Sequence, residues 1–220
     1  MKDLWVSGKM PYCPRCGIKL PEEKGARFCP NCGSPIPRSL LAEKRKISRT
    51  NVVRERIPVF LIIFMLCLAA TAIGALARVD RSEATRIFRE IEEQTESVKN
   101  TGFQSIFTNN LRIMVVMFIP IFGPVWGFIV LYNTGRVLAV FSMFYGIDPS
   151  IIFLSLLLYP FAIMEYVSYA LAISESLMLT RSIIKRDFKN GVIVALIVMA
   201  ICIIALFLAA IIEWFYISAA

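Results

Sequence analysis

The sequence predicts an all-α polytopic membrane helix bundle preceded by a small zinc-ribbon module of β-knuckles. Three observations carry this. The 220 residues are 57% hydrophobic with a mean hydropathy of +0.67, and the apolar residues fall in long uncharged runs instead of an amphipathic period. Four cysteines near the N-terminus form two Cys-Pro-x-Cys-Gly knuckles. The polar stretches outside the apolar runs, residues 1–57 and about 79–110, leave no room for a large soluble catalytic domain.

The first element is the ribbon, residues 1–36. Cys13 and Cys16, then twelve residues, then Cys29 and Cys32 supply four thiolates in two chelating pairs, the set that tetrahedral Zn2+ takes in closed structural sites. Gly17 and Gly33 follow the pairs and permit the tight turn that aims backbone amides at the sulfurs. Four protein ligands leave no position for water or substrate, so the spacing predicts structural zinc and not hydrolysis. Zinc fits paired knuckles better than a redox dithiol does, and iron bound as in rubredoxins also suits this ligand set. Cys67 and Cys202 lie within apolar runs and read as small buried residues.

Residues 37–57 form a basic juxtamembrane linker whose later part has helical character. Before residue 58 there are 13 Lys and Arg against 5 acids, a surplus of eight that equals the net charge of +8 of the whole chain. Directly ahead of an apolar run, such a tract explains contact with anionic headgroups and a cytosolic N-terminus better than it explains nucleic-acid binding. No apolar run precedes the cysteines, so no secretory signal peptide is expected.

The membrane domain is assigned to 58–220. A first span at about 58–78 has enough uncharged residues to cross a core of about 30 Å. Residues 80–99 open on Asp80 and Glu83 in capping-box spacing and continue as an external amphipathic helix. A second span at about 111–132 contains Pro120 and Pro124 and a Gly123-x-x-x-Gly127 face, predicting a kinked packing helix. The run 137–146 is too short to cross straight and reads as a short or re-entrant helix ended by Gly146 to Pro149. Residues 150–180 read as one helix kinked at Pro160, and 191–217 as the last span, closing on an interfacial Glu213-Trp214-Phe215-Tyr216.

One ionisable residue stands out inside these runs. Glu165 lies in an apolar helix, where a carboxyl makes function the default hypothesis, and Ser168, Tyr169, Ala172 and Ser176 share its face by helical spacing. Asn109, Asn110 and Arg112 before it, or Asn133 and Arg136, are its candidate partners, while Glu175 is placed near the inner interface. The site is either an ion, proton or solute path, or a carboxyl that hydrogen-bonds a neighbouring helix for assembly.

The elements Phe107-Thr108-Asn109-Asn110-Leu111, Asn133-Thr134-Gly135 and Pro160 followed by Glu165 resemble the stage II sporulation protein M family. Its members show F-x-N-N-x, N-G and P-H-G-x-x-E elements. Here Thr134 is inserted into the second, and Phe161-Ala162 replace the His-Gly of the third. The resemblance implies a polytopic helical membrane protein, with relatives that act beside peptidoglycan-remodelling partners, and assigns no catalytic residue. The expected function is a non-enzymatic scaffold or assembly protein, with the bilayer, other membrane or cytosolic proteins, and a second copy of the chain as candidate partners. The alternative is a transporter or channel component with a path at Glu165. With no His in the chain and no recognisable nucleophile dyad, an intramembrane enzyme is disfavoured.

Overall fold

Helices follow the cysteine knuckles in the computed structural model, which describes residues 12–13, 15–20, 27–35, 38–184 and 188–219. They are α1 (Arg38–Ala75), α2 (Arg81–Thr101), α3 (Phe103–Met117), α4 (Phe122–Tyr145), α5 (Pro149–Leu156), α6 (Pro160–Ile184) and α7 (Phe188–Ala219). The chain divides into two units, Met1–Glu55 and Arg56–Ala220. The basic side chains read between Lys44 and Arg49, and the turn at 185–187, lie outside the described residues.

Among the described residues, four helices are long and apolar enough to cross a membrane: Arg54–Ala75, Phe122–Tyr145, Pro160–Ile184 and Gly191–Ala219. Three of the predicted boundaries are corrected. The kinked span 111–132 is two helices, because the chain breaks at 118–121. Pro120 cannot donate a backbone hydrogen bond, and Ile121 turns to a φ of 69°, a left-handed conformation that a β-branched residue adopts only when its surroundings enforce it. The supposed short helix 137–146 is the last part of α4, which continues through Asn133 to Arg136 and stops at Gly146 with φ 65°, the left-handed cap that glycine accepts without strain. The segment 150–180 is α5 and α6, separated at 157–159. Pro149 at the first turn of α5 and Asp148, whose carboxylate accepts from Ser150 N at 2.8 Å, start the former.

The amphipathic α2 docks by different means from those expected. Asp80 precedes it in extended conformation but makes no side-chain cap. Glu83 instead pairs with Arg136 of α4 at 2.7 Å, and Phe88 packs on Phe144 and Phe141 with ring centroids 4.4 and 6.2 Å apart.

Named contacts fix the direction of each membrane helix. α6 and α7 form an antiparallel pair, with Tyr159 and Phe161 against Tyr216 at one end. At the other end, a Cβ on Gly191 would strike Ser182. α3 runs alongside α6 in the same sense, because Asn110 meets Glu165 and the Ile119 carbonyl meets Ser176. α4 returns antiparallel, Gly127 lying on Ile173, and α1 runs opposite to α6, from Arg56 beside Glu175 to Thr71 beside Tyr166. The Arg56 and Ser182 end of the bundle is therefore opposite the end that holds α2, α5 and Tyr216.

Glycines set how closely these helices approach. A Cβ on Gly135 would lie 2.1 Å from the Thr71 carbonyl oxygen and 2.8 Å from Gly74 Cα, so α1 and α4 cross in backbone contact. Gly127 gives the same room to Ile173, where a Cβ would come within 2.5 Å of the side chain. The small-residue face read from Gly123 and Gly127 thus packs inward. The core it closes holds Met114, Met117, Leu131, Ile173 and Leu206, while Leu61, Ile62, Met65, Ile197 and Ile204 point outward, as lipid-facing residues do.

Candidate functional site

The ribbon is built by two superimposable turns. Cys13 N donates to Ile18 O at 2.8 Å and Gly17 N to Cys13 O at 2.9 Å; Cys29 N donates to Ser34 O and Gly33 N to Cys29 O at the same distances. Gly17 and Gly33 hold φ of 72° and 67°, the region that favours glycine. Isolated antiparallel bridges, Tyr12 with Lys19 and Phe28 with Pro35, extend each turn into a knuckle.

These turns bring the four sulfurs together. Cys13 Sγ lies 3.6 Å from Cys32 Sγ and Cys16 Sγ 3.7 Å from Cys29 Sγ, and all four ligand atoms lie within 4.8 Å of one another. A tetrahedral ion with bonds of about 2.3 Å to sulfur requires sulfurs about 3.8 Å apart. The cluster therefore fits a metal ion with no rearrangement of the turns. Ser34 Oγ sits 3.3 Å from Cys13 Sγ and 3.2 Å from Cys32 Sγ. Its hydroxyl, with backbone donors, lowers the Cys13 thiol to about 6 and also lowers Cys32. At Cys29 a backbone donor from Cys32 lowers the thiol, but burial and the hydrogen-bonding sulfurs of Cys13 and Cys16 outweigh it and raise it to about 11. A metal-free ribbon thus retains a proton that a bound metal displaces.

Within the membrane unit the Asn-Asn pair splits. Asn110 is buried and its Nδ2 donates to Glu165 Oε1. Asn109 and Arg112 face outward into a separate groove, and Asn133 is exposed on α4. Of the partners considered for Glu165, the structure brings only Asn110 to it. Its second neighbour is Glu213 of α7, whose carboxyl lies beside that of Glu165. Glu213 is the only charged residue of the run 191–219, a signal that its neighbouring Trp214 and Tyr216 masked by suggesting an interface.

Two further polar contacts tie helices together. Glu175 is 2% exposed and pairs with Arg56 at 2.7 Å, while its Oε2 is buried without a partner among the described residues. Tyr166 donates its hydroxyl to Thr71 Oγ1 at 2.8 Å. Arg136 is held by Glu83 and not by Glu165. Ser168 and Ser176, expected on the Glu165 face, donate to the carbonyls of Met164 and Ile119.

The model of the zinc-ribbon domain matches residues 12–36, and that of stage II sporulation protein M matches residues 58–216. No curated protein and no solved structure matches the chain. With the helix bundle, the paired knuckles and the family elements placed along α3, α4 and α6, the chain is a multi-pass membrane protein that belongs to the stage II sporulation protein M family and carries an N-terminal zinc ribbon.

Proposed function

We propose that the chain is a non-enzymatic membrane scaffold whose ribbon, closed by a structural Zn2+, docks a cytosolic protein. The observation that carries this reading is the exposure of Tyr12, Ile18 and Phe28 on the ribbon, with Phe28 61% exposed. Three large apolar side chains on so small a module exceed what folding it requires, and Arg15 and Lys19 are exposed beside them. Such a surface suits an apolar partner segment flanked by acids. Four thiolates fill a tetrahedral ion's coordination and leave the metal a structural task. The basic residues ahead of the first apolar run and thiols that need a reducing compartment support a cytosolic N-terminus.

Metal analysis of the purified chain tests the first half: about one zinc per chain in the wild type and less in Cys29→Ser. Capture of binding proteins from native membranes tests the second. Tyr12→Ser with Phe28→Ser should lose a partner that the wild type retains, at unchanged zinc content. An unchanged set of captured proteins would overturn the scaffold reading of the ribbon.

A second reading is favoured by one observation, the Glu165 and Glu213 pair on Asn110. Two carboxyls brought together from different helices of the membrane unit are an arrangement that a proton or cation path uses. Glu165→Gln keeps the shape and removes the titrating group, so a path would lose flux in proteoliposomes while a scaffold would keep its partners. Absence of flux in the wild type would end this reading and leave the first intact.

A further inference from the structure

We propose that Ser34 clamps the Cys13–Cys32 edge of the ribbon's metal site, so that a bound metal is first surrendered at Cys16. The inference rests on the reading of the ribbon as a zinc site. The two knuckles repeat one another: Cys13 N donates to Ile18 O and Cys29 N to Ser34 O, each at 2.8 Å. Ile18 and Ser34 therefore hold equivalent positions, yet their side chains differ in kind and in place. Ile18 is 41% exposed, whereas Ser34 is 8% exposed. Ser34 Oγ lies 3.3 Å from Cys13 Sγ and 3.2 Å from Cys32 Sγ, across two sulfurs that are themselves 3.6 Å apart.

Thiolates bound to a metal carry no hydrogen, so there Ser34 donates and the two sulfurs accept. Such a donor draws off part of the negative charge that four thiolates concentrate on a divalent ion, and it fixes the orientation of the sulfurs it touches. Ser34 takes one sulfur from each chelating pair, so it also ties one knuckle to the other. The opposite edge joins Cys16 to Cys29, 3.7 Å apart. Its equivalent position is Ile18, which has no donor to offer, and among the described residues no hydroxyl bonds either sulfur. Of these two ligands Cys16 is exposed and Cys29 is buried. A competing donor from solution, a thiolate or a chelator nitrogen, therefore enters beside Cys16. It forms one bond to the metal as the Cys16 sulfur gives up its own and leaves as a thiolate, with no electron transferred. Cys13 and Cys32, held by Ser34, let go last.

The test uses the full chain in detergent, loaded with zinc. Release to a chromogenic chelator is followed in time, and alkylation by N-ethylmaleimide is mapped by peptide mass. Ser34→Ala should release zinc about tenfold faster than the wild type, the scale of losing an outer-shell donor. Ile18→Ser sets a hydroxyl at the equivalent position over the open edge and should slow release severalfold, which a mere change of packing would not do. In the wild type Cys16 should be alkylated ahead of the other three ligands, and Ile18→Ser should shorten that lead. Where Ser34→Ala loads no zinc, Ile18→Ser and the order of alkylation decide. A wild type that binds no zinc would end the zinc reading and this inference with it. Normal zinc content with release unchanged in both variants, or with Cys13 or Cys32 alkylated first, would overturn the clamp alone.

Discussion

Arg56 and Glu175 bring opposite charges 2.7 Å apart, with the carboxylate side chain 3% exposed. The pair needs its partners together: Arg56→Ala leaves a buried carboxylate uncompensated and should destabilise the bundle by about 3–5 kcal/mol. Arg56→Met combined with Glu175→Leu should recover most of that loss, because the buried carboxylate is removed as well. Thermal unfolding of the full chain in detergent compares the three proteins. At the ribbon, Cys29 keeps its proton up to about 11 whereas Cys13 loses its own near 6. Metal takes thiolates, so between these values each ion bound expels at least the Cys29 proton. Affinity should then rise at least tenfold per pH unit and fall as the solution is acidified. Chelator competition at about pH 7 and about pH 8 measures this, and a pH-independent affinity would contradict it. The ligands of this site were legible because a chelating pair is local in sequence. Glu165 was legible as an outlier, but Glu213 lies 48 positions away, and no local period connects them.

At the scale of elements, α4 shows where reading the sequence fails. Asn133 to Arg136 looks like a helix end because it is polar, yet the helix continues. Thr134 returns its hydroxyl to the Val130 carbonyl, Gly135 is filled by the backbone of α1, and Arg136 is neutralised by Glu83. Conversely, the break at 118–121 is hidden because Phe118, Ile119, Ile121 and Phe122 are as apolar as the helices they separate. Its backbone is satisfied locally: Gly123 N donates to Ile119 O at 2.7 Å, and Ser176 supplies a second donor to that same oxygen, as nonhelical chain at membrane depth requires. The crossing of α1 and α4 makes a sharp prediction. Gly135→Ala places a methyl on backbone atoms that cannot rotate away, so it should cost about 1–3 kcal/mol and lower the melting temperature. Leu154→Ala, on the exposed face of α5, should leave it nearly unchanged.

The whole membrane unit is organised around α6. Its apolar window is 61% buried, against 22–28% for the other three long helices, and Arg56, Thr71, Asn110 and Ile119 each make their polar contact with it. The first and last spans and the Gly123 and Gly127 face could be read from hydropathy and glycine spacing, whereas Phe122–Tyr145 and Pro160–Ile184 were displaced in that reading. The identity of the hub could not, since its contacts join residues 55 to 119 positions apart. The directions of the helices place the Arg56 and Ser182 end opposite the α2 end. Cysteines introduced at Thr95 and Ile184, the latter exposed at the end of α6, should therefore label from opposite sides of intact cells, Thr95 from outside if the N-terminus is cytosolic. Equal labelling of both positions would contradict this arrangement.

That hub has a consequence for synthesis. α1 and α3 are made before α6, so Arg56, Thr71, Asn110 and the Ile119 carbonyl enter the membrane before Glu175, Tyr166, Glu165 and Ser176, the α6 groups they meet in the fold, are translated. α3 is poorly fitted to wait alone: its 15 residues extend about 22 Å at 1.5 Å per residue, short of a full crossing, and they carry two asparagines and an arginine. The nascent hairpin of α3 and α4 must therefore stay loosely inserted, or be sheltered by the insertion machinery, until residues 160–184 emerge. A ribosome stalled between α5 and α6 would hold a chain that still lacks every contact α6 supplies.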